Sequence, residues 1–465
     1  MRIKSAGKHA SASCLFAAGL TLLSGAAAAK VPAAMVAQLN TDKYTCLGAE
    51  RAGTPDGVAP FTGKWLGAWP GLKNEHGYDP GPFASEKPLF VITADTADKY
   101  ADKLTEGEKA LLQHYPKDYR IPVYPSHRDF RFDDWTCDAA KWNAENAEVV
   151  HDGLGTSSIL GVQAFPFPQN GLEAIWNVIH PHRAWTEAAV NDTFDVYANG
   201  SIAQGRQRFR TMNPGNNPNA NPHPNAQQEK VDGYFYREEL LPERDKGSIS
   251  VGYQPNDFKL NTFETWQYNP GLRRVRQAPG VGFDYPVPPA GLRTVDDDYL
   301  FNGSPERYDW KIIGKKEIYV PYDNFKINDP ALKYKDDLLK PHTLNPDYER
   351  YELHRVWVIE GDLKPGNRHI YSKRIIYADE DSWLAIWADN YDGRGQLWRP
   401  NFVNYFYSPE SRTFHRSATL YHDLIAGTYE VSYLVNEAAP EDWWHLNQPL
   451  PDDLFSSQAL ARKGH

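Results

Sequence analysis

The sequence predicts a mainly β protein built on one large, curved antiparallel sheet, and three observations carry that expectation. Alternating apolar and polar runs follow one another from Thr193 to Val435. Their links are turn-like and hairpin-short: Lys364-Pro365-Gly366-Asn367, Asp379-Glu380-Asp381 and Tyr391-Asp392-Gly393-Arg394. A composition of 34 Gly, 35 Pro, 27 Tyr and 14 Trp in 465 residues suits strands and turns better than long helices. Only two clear helical segments stand against these strands, too few to wrap a parallel sheet.

In chain order, residues 1–29 (MRIKSAGKHASASCLFAAGLTLLSGAAAA) read as a cleaved signal peptide. Arg2, Lys4 and Lys8 form its positive region, Ser13–Gly25 its apolar region, and Ala27-Ala28-Ala29 its cleavage site. Ala26 after Leu23-Ser24-Gly25 stands where a lipoprotein signal has cysteine, so no lipid anchor is expected. No later apolar run reaches the roughly 18 residues needed to span a bilayer. The expected location is therefore a bacterial periplasm. Without the leader's three basic residues, 47 Lys and Arg face 60 Asp and Glu, a net charge of −13. That balance argues against nucleic-acid binding, which draws on phosphate neutralisation. Cys46 and Cys137 remain, either as a disulfide closing a loop of about 90 residues or as two buried thiols.

The length alone would suggest two or three domains, whereas the strand-rich composition favours one β domain over residues 30–465. Its residues 30–150 are loop-rich. A helix is expected near Thr96–Leu112 and a shorter one at Gly171–Ile179, stopped by Pro181. Ala198-Asn199-Gly200 marks a hairpin between strands at Thr193–Tyr197 and Ile202–Thr211. The Asn/Pro tract Met212–Gln228 fits neither ladder nor helix and reads as a mobile surface loop, residues 212–228.

The stretch TWQYNPGLRRVRQAP, Thr265–Pro279, reads as a hairpin: strand Phe263–Tyr268, turn Asn269-Pro270-Gly271, return strand Leu272–Gln277. Alternation then sends Arg274 and Arg276 to one face, Arg273 and Val275 to the other. These arginines either pair with carboxylates on neighbouring strands or capture an anionic headgroup. Further stripes place Trp266 with Tyr268, Trp357 with Ile359, Ile375 with Tyr377, and Trp383 with Ala385 and Trp387. Each stripe is either core packing or a ligand lining.

Motifs for covalent or metal chemistry are weak. Gly155-Thr156-Ser157-Ser158-Ile159 lacks the second glycine of a nucleophile elbow, and the S-x-x-K at Ser5–Lys8 lies in the leader. There is no H-E-x-x-H. His151, His180 and His182 read as capping or surface residues, so no metal and no cofactor are expected. Asp389-Asn390-Tyr391-Asp392-Gly393 misses the alternate-residue spacing of a calcium loop and reads as a hairpin turn. Asp379-Glu380-Asp381 reads as a solvated turn, with Trp383 in the next strand.

TWQYNPGLRRVRQAP followed by FDYP also resembles a signature of the bacterial family called domain of unknown function 1329. GAERAGTPDG (Gly48–Gly57), FNGSPERYDWKIIGKKEIYVPY (Phe301–Tyr322) and RYELHRVWVIEGDL (Arg350–Leu363) resemble further family stretches in the same order. RHIYSKRIIYADEDSW (Arg368–Trp383) and DNYDGRGQLWR (Asp389–Arg399) close the series, and the Asn/Pro tract is the main departure. The resemblance implies a fold of the LolA/LolB/LppX type, an unclosed half-barrel with helices over its concave side. It further implies carriage of a hydrophobic, lipid-like molecule beside an inner-membrane RND-type exporter and an outer-membrane protein.

The leading expectation is thus a soluble periplasmic carrier that is not an enzyme. Its ligand contacts are expected among Trp266, Tyr268, Trp357, Ile359, Trp383 and Trp387, with Arg273, Arg274 and Arg276 at the headgroup. A glycan-binding protein or glycoside hydrolase, and a docking protein without cargo, are the alternatives.

Overall fold

Two antiparallel meanders dominate the computed structural model, which describes residues 31–64, 78–157, 160–220, 231–278 and 282–463. The expected signal peptide lies outside the described residues. Two short strands, β1 (Phe90–Ile92) and β2 (Ile121–Val123), come first, followed by the separate hairpin of β3 (Glu148–Val150) and β4 (Gly155–Ser157). The first meander runs through β5 (Thr186–Val196), β6 (Ile202–Met212), β7 (Val231–Leu241), β8 (Ile249–Pro255), β9 (Glu264–Asn269) and β10 (Arg274–Gln277). The second runs through β11 (Tyr308–Pro321), β12 (Tyr351–Leu363), β13 (Lys373–Asp379), β14 (Ala385–Tyr391), β15 (Leu397–Ser408), β16 (Thr413–Asp423) and β17 (Thr428–Leu434). β18 (His445–Leu446) pairs with β5.

β17 pairs with β5, for example Val431 opposite Phe194, and this seam fuses the two meanders into one 16-stranded sheet. β10 and β11, consecutive in the chain, end at its opposite edges, so the sheet is not closed into a barrel. One parallel contact, Tyr351 opposite Val123, departs from the otherwise antiparallel pairing.

The described helices are few: α1 (Ala33–Val36), α2 (Glu106–His114), α3 (Asp134–Asn146), α4 (Gly171–Ile179) and α5 (Ser457–Lys463). The helix expected over Thr96–Leu112 is broken into a 3-10 turn, Ala97–Lys103, and α2. The break is a capping box: Thr105 Oγ1 accepts from Glu108 N at 3.0 Å, and Thr105 N donates to Glu108 Oε2 at 2.7 Å. A Cβ on Gly107 would come within 2.2 Å of Asp389 Oδ1, so only glycine lets α2 lie so close to β14 and β15. β5 starts at Thr186, seven residues before the expected strand, while its turn at Asn199-Gly200 falls where the sequence puts it, with Gly200 at φ 81°.

The main core runs through β11–β17 and the N-terminal loops. Trp387 stacks on Phe402 at 4.7 Å, Phe402 on His422 at 5.7 Å, and His422 on Tyr429 at 5.6 Å, a ring ladder across four strands. Burial drives the His422 imidazole down to about 3, so it packs as a neutral ring. A disulfide joins Cys46 to Cys137 on α3, with Cα atoms 5.1 Å apart. In the Asn/Pro tract, Asn213 and Asn216 are buried and donate to the carbonyls of Ala184 (3.0 Å) and Arg183 (2.8 Å). Residues 221–228 of that tract lie outside the described residues.

Candidate functional site

The segment between β10 and β11 decides which parts of the sheet are covered. Its 3-10 turn Val295–Leu300 lies against β14 and β15 and carries three aspartates in a row. Asp296 takes Arg374 at 2.7 Å, Asp298 takes Arg416 at 3.0 Å, and neighbouring Arg293 reaches Glu430 at 2.9 Å. Desolvation pushes Asp296 up, but Arg374 and His369 win and hold it at about 2. α2 covers the other face of β14 and β15. The second meander is therefore enclosed on both sides, and its strands β14, β16 and β17 are buried almost throughout.

The first meander differs beyond β6. On one face of β7–β10, Tyr236, Ile249, Val251, Trp266, Tyr268 and Val275 pack with Phe455 and Leu460 at the C-terminal end. The other face carries Phe235, Arg237, Ser250, Gly252, Gln267, Arg274 and Arg276 in register. Arg237 sits opposite Ser250, Ser250 opposite Gln267, and Gln267 opposite Arg276. Phe235 lies flat across Gly252, where a Cβ would come within 2.8 Å of its ring. It stacks on Phe263 at 5.8 Å, and Phe263 is 37 % exposed. Arg274 and Arg276 are exposed. Among the described residues Arg274 and Arg276 have no ion-pair partner, whereas the half-buried Arg237 acts on the carboxylates of Glu239 and Asp298.

The site residues expected from sequence are thus dispersed. Arg274 and Arg276 share the open face, whereas Arg273 occupies the turn at φ 50°, because the return strand begins at Arg274 and not at Leu272. Trp266 and Tyr268 are half-buried on the opposite face. Ile359, Trp383 and Trp387 are enclosed in the main core. Trp357 stacks on Trp383 at 5.4 Å beneath the Lys315 ammonium, 4.8 Å from its ring. Trp383 does not begin a strand: it closes the turn before β14 at φ 61°.

That turn holds the feature which sequence reasoning missed. Asp379, Glu380 and Asp381, expected as solvated turn acids, are 1 %, 2 % and 2 % exposed. Residues 50–64 and 125–128 fold over them: Arg128 makes two 2.7 Å bonds to Asp381, while Arg355 and Lys315 reach Glu380 at 2.6 and 2.5 Å. Burial and the neighbouring Asp381 charge push Asp379 up to about 7. His354 and Glu352 lie alongside, with His354 Nε2 3.2 Å from Glu352 Oε2. Beyond them opens a small, solvent-open cleft bordered by Phe83, Glu86, Tyr124, Asp323, Tyr348 and Arg350. The one sequence signal was Trp383 directly behind the acids, an aromatic where a solvated turn has no use for one.

Of the histidines weighed as metal ligands, His151 faces Asp257 (2.6 Å), His180 faces Asp232 (2.7 Å) and His182 faces Thr136 (3.3 Å). Each has a different partner. Asp379 and Asp381 come close enough to suggest a hydrolytic pair, but they are sealed from any sugar by Arg128 and the chain above.

The family model for proteins of unknown function DUF1329 matches residues 91–461, and the chain belongs to that family. It is 39 % identical over 452 residues to the uncharacterized protein PA3922 of Pseudomonas aeruginosa, covering 96 % of both chains. Among solved structures it is similar to a DUF1329 family protein from Desulfovibrio piger (14 % identity, TM-score 0.39, 60 % of this chain and 92 % of that one). It is also similar to a LolA superfamily protein from Nitrosomonas europaea (10 % identity, TM-score 0.36, 63 % of this chain and 100 % of that one).

Proposed function

We propose that the protein is a periplasmic binding or carrier protein for an amphiphile with an apolar body and an anionic head, and that it acts without covalent chemistry. One observation carries this reading: one face of β7–β10 sets the Phe235–Phe263 ring pair on the same side as the exposed Arg274 and Arg276. Apolar chain laid on the rings gains about 0.8 kcal/mol per methylene shielded. Unpaired guanidiniums at the edge supply charge-assisted hydrogen bonds to a phosphate or carboxylate. Cargo leaves when a partner competes for the same open face. In this reading the partners are an inner-membrane RND-type exporter and an outer-membrane protein.

The test is a titration of delipidated protein, lacking residues 1–29, with lysophosphatidylglycerol and with zwitterionic lysophosphatidylcholine. The anionic lipid should bind about tenfold more tightly or better. The double variant Arg274→Glu, Arg276→Glu should abolish that preference, and Phe263→Ser should weaken both lipids. Equal affinity of wild type and both variants for the two lipids would sink the proposal.

A further inference from the structure

The buried turn carries a second inference, independent of the amphiphile reading. We propose that His354, Asp379 and Asp381 form a binding site for a divalent first-row transition-metal ion. One donor atom from each residue lies within 4.8 Å of the others. Three ligands held about 2.1 Å from a common ion stand about 3.4–3.6 Å from one another, so closing this set requires its donor atoms to draw together by up to about 1.4 Å.

Two polar atoms here lack a use in the ion-free protein. Asp379 Oδ1 and Tyr322 Oη have no hydrogen-bond partner among the described residues, although both side chains are 1 % exposed. Such orphaned buried groups are costly, and each one requires an explanation. The Tyr322 ring stacks on His354 at 3.8 Å, which brings its hydroxyl to the same pocket and makes it a candidate fourth ligand.

Charge points the same way. The cations of this region are committed: Arg128 to Asp381, Arg350 to Glu86 and Glu352, Arg355 and the half-buried Lys315 to Glu380. Asp379 is left without an ion-pair partner among the described residues. A bound dication would supply the missing positive charge.

The outer contacts are those of a built site. Asp379 Oδ2 accepts from Ser382 N at 2.9 Å and Ser382 Oγ at 2.6 Å, which leaves Oδ1 as its free donor. Arg128 fixes the Asp381 carboxylate, and Glu352 faces His354 Nε2. One imidazole with two carboxylates suits Zn²⁺, Mn²⁺ or Fe²⁺ better than the oxygen-only preference of Ca²⁺ and Mg²⁺. The ion would pin the turn 379–381 to β12.

The experiment unfolds the full mature chain in chelator and refolds it with Zn²⁺, Mn²⁺ or Co²⁺, because the enclosed site fills most readily during folding. After desalting, metal analysis should find about one equivalent, and the midpoint of thermal unfolding should rise by about 3 °C or more over the metal-free protein. The Co²⁺ form should show a visible spectrum of nitrogen and oxygen coordination. Asp379→Asn and His354→Gln should each lower retained metal at least tenfold, and Tyr322→Phe should alter the Co²⁺ spectrum while retaining the fold. Refolded wild type that holds no metal, or variants that retain as much as wild type, would overturn the proposal.

Discussion

The two meanders of this sheet are built from the same strand grammar and come to opposite ends. β13–β17 are enclosed by α2 and the N-terminal loops on one face and by the aspartate-bearing turn Val295–Leu300 on the other. Among the described residues, β7–β10 pack against the C-terminal segment on one face and carry Phe235, Phe263 and the exposed Arg274 and Arg276 on the other. The enclosed half can tolerate its arginines because they find fixed carboxylate partners, as Arg374 does in Asp296 and Arg416 in Asp298. The open half can leave arginines unpaired because water solvates them, and that makes them available to a ligand. The difference separates a scaffold from a binding surface within one sheet.

A matched pair of tryptophan deletions should separate the two halves by the largest margin. Trp387→Ala removes a fully buried ring between Phe402 and Asp389 and should cost about 3–5 kcal/mol. Trp266→Ala, half-buried under the C-terminal cluster, should cost about 1–2 kcal/mol. Urea denaturation monitored by fluorescence measures both, and equal losses would erase the distinction between the halves. Next in size, Gly107→Ala should destabilise by about 1–3 kcal/mol, since its methyl meets Asp389, Pro400 and Trp387 within 2.8 Å.

A pH series probes the enclosed half through Glu349, which is 1 % exposed and pushed up to about 8 by burial. Unfolded, Glu349 releases its proton near its ordinary value of 4.5, while the folded side chain holds it to about 8. The folded state binds the extra proton across that window, so stability falls as pH rises through it. Asp195, raised to about 7 by burial and by Glu430, acts in the same direction. Glu349→Gln should flatten the decline between pH 5 and pH 8 by about 2 kcal/mol, read from urea midpoints at each pH. A decline unchanged in the variant would remove Glu349 as its source. Smallest of all, the Arg274→Glu, Arg276→Glu pair should leave stability within about 0.5 kcal/mol of wild type, because neither side chain is packed. A larger loss would mean that the arginine row supports the fold and is not a free surface.

The local grammar was legible because it is local. Strand alternation, the Asn199-Gly200 turn and the ends of α4 depend on residues within a few positions of one another. The capping box Thr105–Glu108 was equally local and shows that a continuous apolar periodicity can hide a helix boundary. Burial is a different quantity, because it depends on which distant segment lies above a residue. Residues 50–64 and 125–128 turn the Asp379-Glu380-Asp381 stretch from a solvated loop into a sealed ionic cluster. The same dependence set Trp357, Trp383 and Trp387 among packed rings instead of on an open face.

By itself, then, the sequence determined the mainly β class, most strand positions, the splitting of Arg274 and Arg276 from Val275, and the family. The pairing of β17 with β5, the choice of which sheet half is roofed, and the gathering of His354, Asp379 and Asp381 were decided only by tertiary structure. Each of these joins residues far apart in the chain, and their contacts follow from how large surfaces fit together, which no short-range pattern encodes.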